Sequence, residues 1–324
     1  MASNRSDGMA SAARAAARPW TAVHNWVYWL DRPRLDQIGA SAFELAVIDY
    51  SADRTAGGEF TAAQIDALRS GQCSRRVLAY INIGLAESYR FYWDPTWRTG
   101  NPAWLGEEDP DWPGHYFIDF WDPAWRQIMY RYLDRVVAQG FDGVYLDRID
   151  SYGDVPGHER DMVELVRGMA AYARARSPLG EDFGVFAQNA EQLAVGHPEY
   201  VAVLTGIGRE ETYFAATDQA TSGPQRAAAE TALDVVRQGS RGHLVLTVDF
   251  ATAAGPVGEA YRLSRAKDYV PYATDVALDR LRIDAGFEPS CAALVTPTPL
   301  PTATPNPGLT RTLFLPLVLR RASP

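Results

Sequence analysis

Eight times between Trp20 and Ile283 a short apolar run gives way to a polar turn and then to a helical pattern, and this alternation constrains the fold more than any other feature. The runs at Asn25–Leu30, Leu45–Tyr50, Arg76–Ile83, Gly143–Asp147, Phe183–Gln188, Tyr200–Ile207, His243–Asp249 and Tyr269–Thr274 have the length and the β-branched or aromatic content of strands enclosed on both faces. Helix signals stand between them. Thr61-Ala-Ala-Gln64 is a capping box, and Asp122-Pro123 joins an N-cap to a proline at the first helical position. Helical segments are also expected at 159–176, which Ser177-Pro178 ends, at 225–238, at 257–268, and from strand eight to about Ile283. Strands that alternate with helices need crossover connections and so form a parallel sheet. Eight such units over residues 20–291 predict an α/β protein, a (β/α)8 TIM barrel.

Residues 84–121 interrupt the pattern with a long segment crowded with rings, Tyr92 and Trp93 among them. A loop of this length inside a barrel is usually functional. Some of its rings are expected to plug one end of the fold, and others to stack on the C–H faces of sugars.

Of the formal charge of −9, the first 19 residues contribute +2 and the last 33 contribute +3, so the body between carries −14. That balance disfavours nucleic acid and anionic substrates and favours a cationic polymer. Five scattered histidines and two cysteines lack metal-ligand spacing, so neither a metal nor a cofactor is expected. Residues 1–19 read as a disordered lead-in, 292–308 as a Pro/Thr linker, and 309–324 as a short apolar and basic tail suited to surface sorting. No apolar run is long enough to span a bilayer, and no secretory signal is readable at the first methionine. Either the chain is cytoplasmic or its true start lies upstream, and the linker favours the second, a secreted or cell-surface bacterial protein, expected to be a monomer. Cys73 and Cys291 both fall at the N-terminal face of the expected barrel, where they either form a bridge or remain two separate thiols.

In a (β/α)8 barrel the site is built at the C-terminal ends of the strands. Asp49, Tyr80, Asn82, Asp147, Gln188, Asn189 and Asp249 stand there, and Glu210 follows in the loop after strand six. Asp147 ends its strand on the face of Tyr145, either as a chemical group or as a loop cap paired with the adjacent Arg148. Arg148 and Asp150, together with Tyr92 and Trp93, complete the candidate sugar-binding set. Converging carboxylates and amides, with no catalytic triad, suit a glycosidase. The Gly206-Ile207-Gly208 run lacks the third glycine of a dinucleotide fingerprint, where Glu211 stands instead.

The joint set VIDYS at 47–51, LAYINIGLAESYRFYW at 78–93, DFWDPAW at 119–125, FDGVYLDRIDSY at 141–152, FAQNAE at 186–191, GIGREETYF at 206–214 and VPYATD at 270–275 resembles glycoside hydrolase family 114, the endo-α-1,4-polygalactosaminidase-like barrels. The resemblance implies an endo-acting hydrolase of α-1,4-linked galactosamine polysaccharide, with Asp147 and Glu210 as the catalytic pair. Glu210 fits the family's Gly-x-Gly-x-Glu pattern, and Glu211 is the neighbouring register. The competing expectation is a barrel that binds polysaccharide without cutting it.

Overall fold

The computed structural model describes residues 18–288. Their centre is one eight-stranded parallel sheet in chain order: β1 (Trp26–Trp29), β2 (Leu45–Asp49), β3 (Arg76–Asn82), β4 (Gly143–Asp147), β5 (Gly184–Gln188), β6 (Gly206–Glu210), β7 (Leu244–Phe250) and β8 (Val270–Thr274). The sheet curls into a nearly closed barrel. Across the remaining seam the Trp26 indole N–H donates to the Val270 carbonyl at 3.0 Å. The principal outer helices are α1 (Leu35–Gly39), α2 (Ala62–Arg69), α3 (Pro123–Ala138), α4 (Glu159–Arg176), the short pair α5 (Leu193–Gly196) and α6 (Pro198–Val201), then α7 (Gly223–Gly239) and α8 (Ala254–Ala266). The Thr61/Gln64 capping box and the Asp122 cap, whose side chain accepts from Ala124 N–H, both form as expected.

The barrel interior is filled asymmetrically. Trp26, Tyr28, Tyr145 and Tyr272 pack at centroid distances of 5.5–6.3 Å. Opposite them β6 presents two glycines: a Cβ on Gly208 would lie 1.7 Å from the Tyr145 hydroxyl, and one on Gly206 would lie 2.6 Å from the Phe186 ring. The Gly-x-Gly run therefore exists to admit aromatic rings, not a pyrophosphate.

Three expectations about elements are corrected. Tyr200 and Val201 belong to helix α6, and the sixth strand is Gly206–Glu210, because a short apolar run alone cannot distinguish a buried helix turn from a strand. Glu210 is consequently the last residue of a strand rather than part of a loop. Residues 84–121 are not structureless: Leu85–Glu87, Leu105–Glu108 and His115–Ile118 form an antiparallel sheet with the last of these at its centre. Beyond β8 the described chain forms no helix. Leu278 instead turns with φ +48° and its carbonyl accepts the N–H groups of Leu30 and Asp31, so this segment is tied to the chain just beyond β1.

Arg18, assigned from sequence to the lead-in, is buried; it donates to the Ser74 carbonyl at 2.9 Å and pairs with Glu44 at 3.0 Å. Cys73 is disulfide-bonded, whereas Cys291, the linker and the tail lie outside the described residues. No described helix is long and apolar enough to cross a membrane.

Candidate active site

The strands deliver their last residues into a cleft of about 320 Å³ at the C-terminal end of the barrel. Asp147 closes β4. Arg148 then adopts a left-handed conformation (φ +59°), which turns its N–H back onto Asp147 Oδ1 at 2.7 Å. On β3, Tyr80 donates its hydroxyl to Asp147 Oδ2 at 2.5 Å. Burial pushes the Asp147 carboxyl up to about 6, while these two donors favour its ionised form and hold it from going higher.

Two strands along, Glu210 closes β6. Its N–H donates to Asn189 Oδ1 at 3.0 Å, and Asn189 Nδ2 donates to Glu210 Oε2 at 3.3 Å. Gln188 also hydrogen-bonds Glu210, and its Oε1 accepts the Tyr28 hydroxyl at 2.7 Å. Burial first, and then the negative charge of Asp147, push Glu210 up to about 7. Asn189, Ala190 and Glu211 share with Arg148 the left-handed backbone that non-glycine residues rarely adopt. Such conformations cost of order 1–3 kcal/mol each and gather where a site must be shaped. Glu210 lines the cleft; Glu211 is exposed and does not.

Asp49 also lines the cleft but is committed to an ion pair. Arg90 Nη1 approaches it at 2.8 Å, and the same guanidinium grips Glu87 at 2.6 Å through Nε. Burial raises Asp49 to about 6 against the pull of Arg90. Burial would raise Glu87 as well, but Arg90 and His115 more than offset it and hold that carboxyl at about 2. Glu87 takes the forked contact, with Arg90 Nη2 at 3.1 Å besides Nε, and is the better-matched partner. Arg148 and Asp150 stand on the cleft wall, Arg148 also reaching Asp154 at 3.3 Å.

Four residues expected at the site lie off the cleft. Asn82 is buried and accepts the N–H groups of Gly84 and Leu85 at 3.2 and 2.9 Å, so it caps the turn after β3. Tyr92 packs edge-on against Trp125, and its hydroxyl accepts from Glu87 N–H. Trp93 packs edge-on against Trp97 and tilted against Tyr116 in the satellite core of the 84–121 segment. Asp249 is buried and accepts from Tyr213 and Phe214 N–H at 2.6 and 2.9 Å, anchoring the turn beyond β6; burial pushes it up to about 7. Backbone N–H groups take up Asn82, Tyr92 and Asp249, and ring packing takes up Trp93.

Tyr28, Glu87, Arg90, His115 and Trp112 line the cleft and were not singled out from sequence. The Glu87-x-x-Arg90 spacing was a usable signal for one ion pair, and Tyr28 follows from alternation along β1, two residues after the inward-facing Trp26. Among the described residues no group of three or more His, Cys, Asp or Glu side chains is arranged to hold a metal ion.

A (β/α)8 barrel whose cleft holds two carboxyl groups in unequal environments has the working parts of a glycoside hydrolase. The chain matches glycoside-hydrolase family GH114 over residues 9–293, and it belongs to that family. It is 35% identical over 285 residues to an uncharacterized protein of Thermotoga maritima, covering 82% of this chain and 85% of that one. It is also 39% identical over 267 residues to one of Deinococcus radiodurans, covering 81% and 83%. Among solved structures, Aspergillus fumigatus Ega3 in complex with galactosamine superposes with a TM-score of 0.59 at 18% identity, over 82% of this chain and 97% of that one. The glycoside hydrolase domain of PelA from Pseudomonas aeruginosa gives 0.60 at 18% identity, over 80% and 97%. The barrel is thus shared with both.

Proposed function

We propose that this glycoside hydrolase cleaves α-1,4-linked galactosamine-containing polysaccharide within the chain, with Glu210 as general acid and Asp147 as nucleophile or base. The observation that carries the assignment is the pair's unequal surroundings in one cleft. Burial raises both and each receives two hydrogen bonds that favour its charge, but Glu210 also feels the negative charge of Asp147 and lies higher, at about 7 against about 6. Near neutral pH one carboxyl therefore holds a proton for the leaving oxygen while the other stays ionised toward the sugar. A cationic amino sugar suits the cleft wall, where six carboxyl groups face three guanidinium groups. The galactosamine in the Ega3 complex supports the same class of sugar. A disulfide-bonded Cys73 supports action outside the reducing cytoplasm.

Incubation with galactosaminogalactan and with partly deacetylated galactosamine oligomers is expected to release reducing ends, with internal cuts giving oligomers before monomers. Asp147→Asn and Glu210→Gln are each expected to lose at least about a thousandfold in turnover with the fold intact, since each removes a group that transfers protons or attacks. Polymer bound without release by the wild-type protein would show a binding barrel instead. Activity surviving in Glu210→Gln but lost in Glu211→Gln would move the acid to the next residue.

A further inference from the structure

We propose that Trp112 is a stacking platform for a pyranose ring of the substrate, at an outer subsite of the cleft beyond the Asp147/Glu210 pair. The proposal rests on the glycosidase reading above and deepens it. Of the nine tryptophans in the chain, Trp112 alone is exposed, with 60% of its surface open, and it lines the same cleft as the two carboxyl groups. An indole left in water forgoes the stabilisation of burial, which the other eight tryptophans take wholly or in part.

The exposure is not that of a loose loop, because the mount is built. Trp112 N–H donates to the Asp109 carbonyl, and His115 N–H donates to the Trp112 carbonyl at 3.0 Å. Asp109 Oδ1 accepts Asp111 N–H at 2.9 Å, and Glu108 Oε1 accepts Gly114 N–H at 2.6 Å. Gly114, at φ +83°, completes the turn, and a Cβ there would also lie 3.1 Å from Ser88 Oγ. The His115 ring stands edge-on to the indole at 6.2 Å and is itself tied to the Tyr89 hydroxyl at 3.1 Å and to Glu87 at 3.5 Å. Through Glu87 the mount continues to Arg90 and Asp49. The platform is therefore fixed relative to the cleft floor, which lowers the ordering cost of binding.

The remaining lining points to a sugar rather than another flat ligand. Val276, 58% exposed, and Leu278 add apolar surface to the same cleft, and the Asp31–Arg54 pair at 2.9 Å adds a polar wall. A pyranose offers an apolar C–H face to the indole and hydroxyl or ammonium groups to such a wall. A nucleotide would bring phosphates against an excess of carboxylates. No cleft-lining residue comes from β7, whereas the β1, β2 and β3 ends, the 84–121 segment and the segment after β8 all contribute. The cleft thus extends to one side of the catalytic pair, and that is where a polymer would continue.

The test uses galactosamine oligomers of increasing length. In the binding arm, calorimetry with the Glu210→Gln protein is expected to show affinity rising with length, and adding Trp112→Ala is expected to remove about tenfold of that gain. Trp112→Phe should restore most of it. In the kinetic arm, the ratio of kcat/KM for long over short oligomers is expected to fall about tenfold in Trp112→Ala, with an unchanged thermal midpoint because the side chain is exposed. An unaltered length dependence in Trp112→Ala overturns the platform. If the wild-type protein cuts no galactosamine polymer, the substrate reading fails separately. Retention on a panel of insoluble neutral glycans then decides the platform, equal retention of wild type and Trp112→Ala overturning it.

Discussion

Replacing Glu210 by glutamine should make the protein more stable as well as inactive, and only at the pH where the acid is charged. Burial and the neighbouring Asp147 raise its carboxyl from 4.5 to about 7. The folded protein therefore keeps a proton that the unfolded chain releases between those values. The contribution of this group to stability is highest below about pH 4.5, falls as pH rises through the window, and becomes the full penalty above pH 7. Two and a half pH units at about 1.36 kcal/mol each set an upper bound of about 3.4 kcal/mol. The group is reachable from the cleft and titrates together with Asp147, so roughly half of that is a realistic expectation. For a domain of this size about 1.5 kcal/mol corresponds to roughly 3–6 °C in Tm. Glutamine is nearly isosteric and its carbonyl oxygen can still accept from Asn189. Thermal unfolding of both proteins near pH 4.5 and near pH 8 is thus expected to give equal midpoints at the lower pH and a higher midpoint for Glu210→Gln at the upper. A difference that is the same at both pH values, or a less stable variant near pH 8, would refute the claim that Glu210 is an electrostatically strained group.

Tyr80→Phe removes one of the two donors that favour the Asp147 charge. The acid limb of the kcat/KM profile, set near pH 6 by Asp147, is expected to move upward by about one unit, and an unmoved limb would assign that limb to another group. Arg90→Leu strands Asp49 and Glu87 as buried acids without their shared cation, so urea unfolding at neutral pH is expected to show a loss of about 3–5 kcal/mol. A loss below about 1 kcal/mol would mean that the network does not hold them as ions.

The barrel was legible because its information is local and periodic. Capping signals, breakers and eight apolar runs each act within a few residues, and their sum specifies a topology. Where the reading failed, the deciding interactions were distant in sequence. Pro198–Val201 turns helical although its apolar run suits a strand equally well, and the 84–121 rings look like a loop until Trp93 meets Tyr116 and Trp97 meets Trp104. The site shows the same division. Asp147 and Glu210 reach the cleft because strand ends must point there, and the family resemblance selected them. Asn82 and Asp249 satisfied the same positional criterion, yet nearby backbone N–H groups claimed their oxygens. Residue type and strand position identify which groups could face a substrate; only the hydrogen-bond inventory of the turns says which remain available.

That inventory also separates the two ends of the barrel. At the N-terminal end every prominent buried acid is matched to cations and donors. Asp142 meets Arg69 at 3.2 Å and Arg76 at 3.7 Å and accepts Val77 N–H at 2.9 Å, and Glu44 meets Arg18 and accepts His24 N–H at 2.7 Å. At the C-terminal end Asp147, Glu210 and Asp249 are buried without any such direct cation, and all three are pushed upward. The same desolvation acts at both ends, and at the C-terminal end Arg90 is taken up by Asp49 and Glu87, which leaves Asp147 and Glu210 without a paired cation. A fold selected only for stability would gain by pairing Asp147 and Glu210 as Asp142 is paired. A paired cation would favour the ionised form of both carboxyls and work against an acid able to give up a proton near neutral pH. Left-handed residues follow β4, β5 and β6, and two of them, Arg148 and Asn189, line the cleft at a backbone cost. The ion-paired N-terminal end and the packed rings inside the barrel offset that cost.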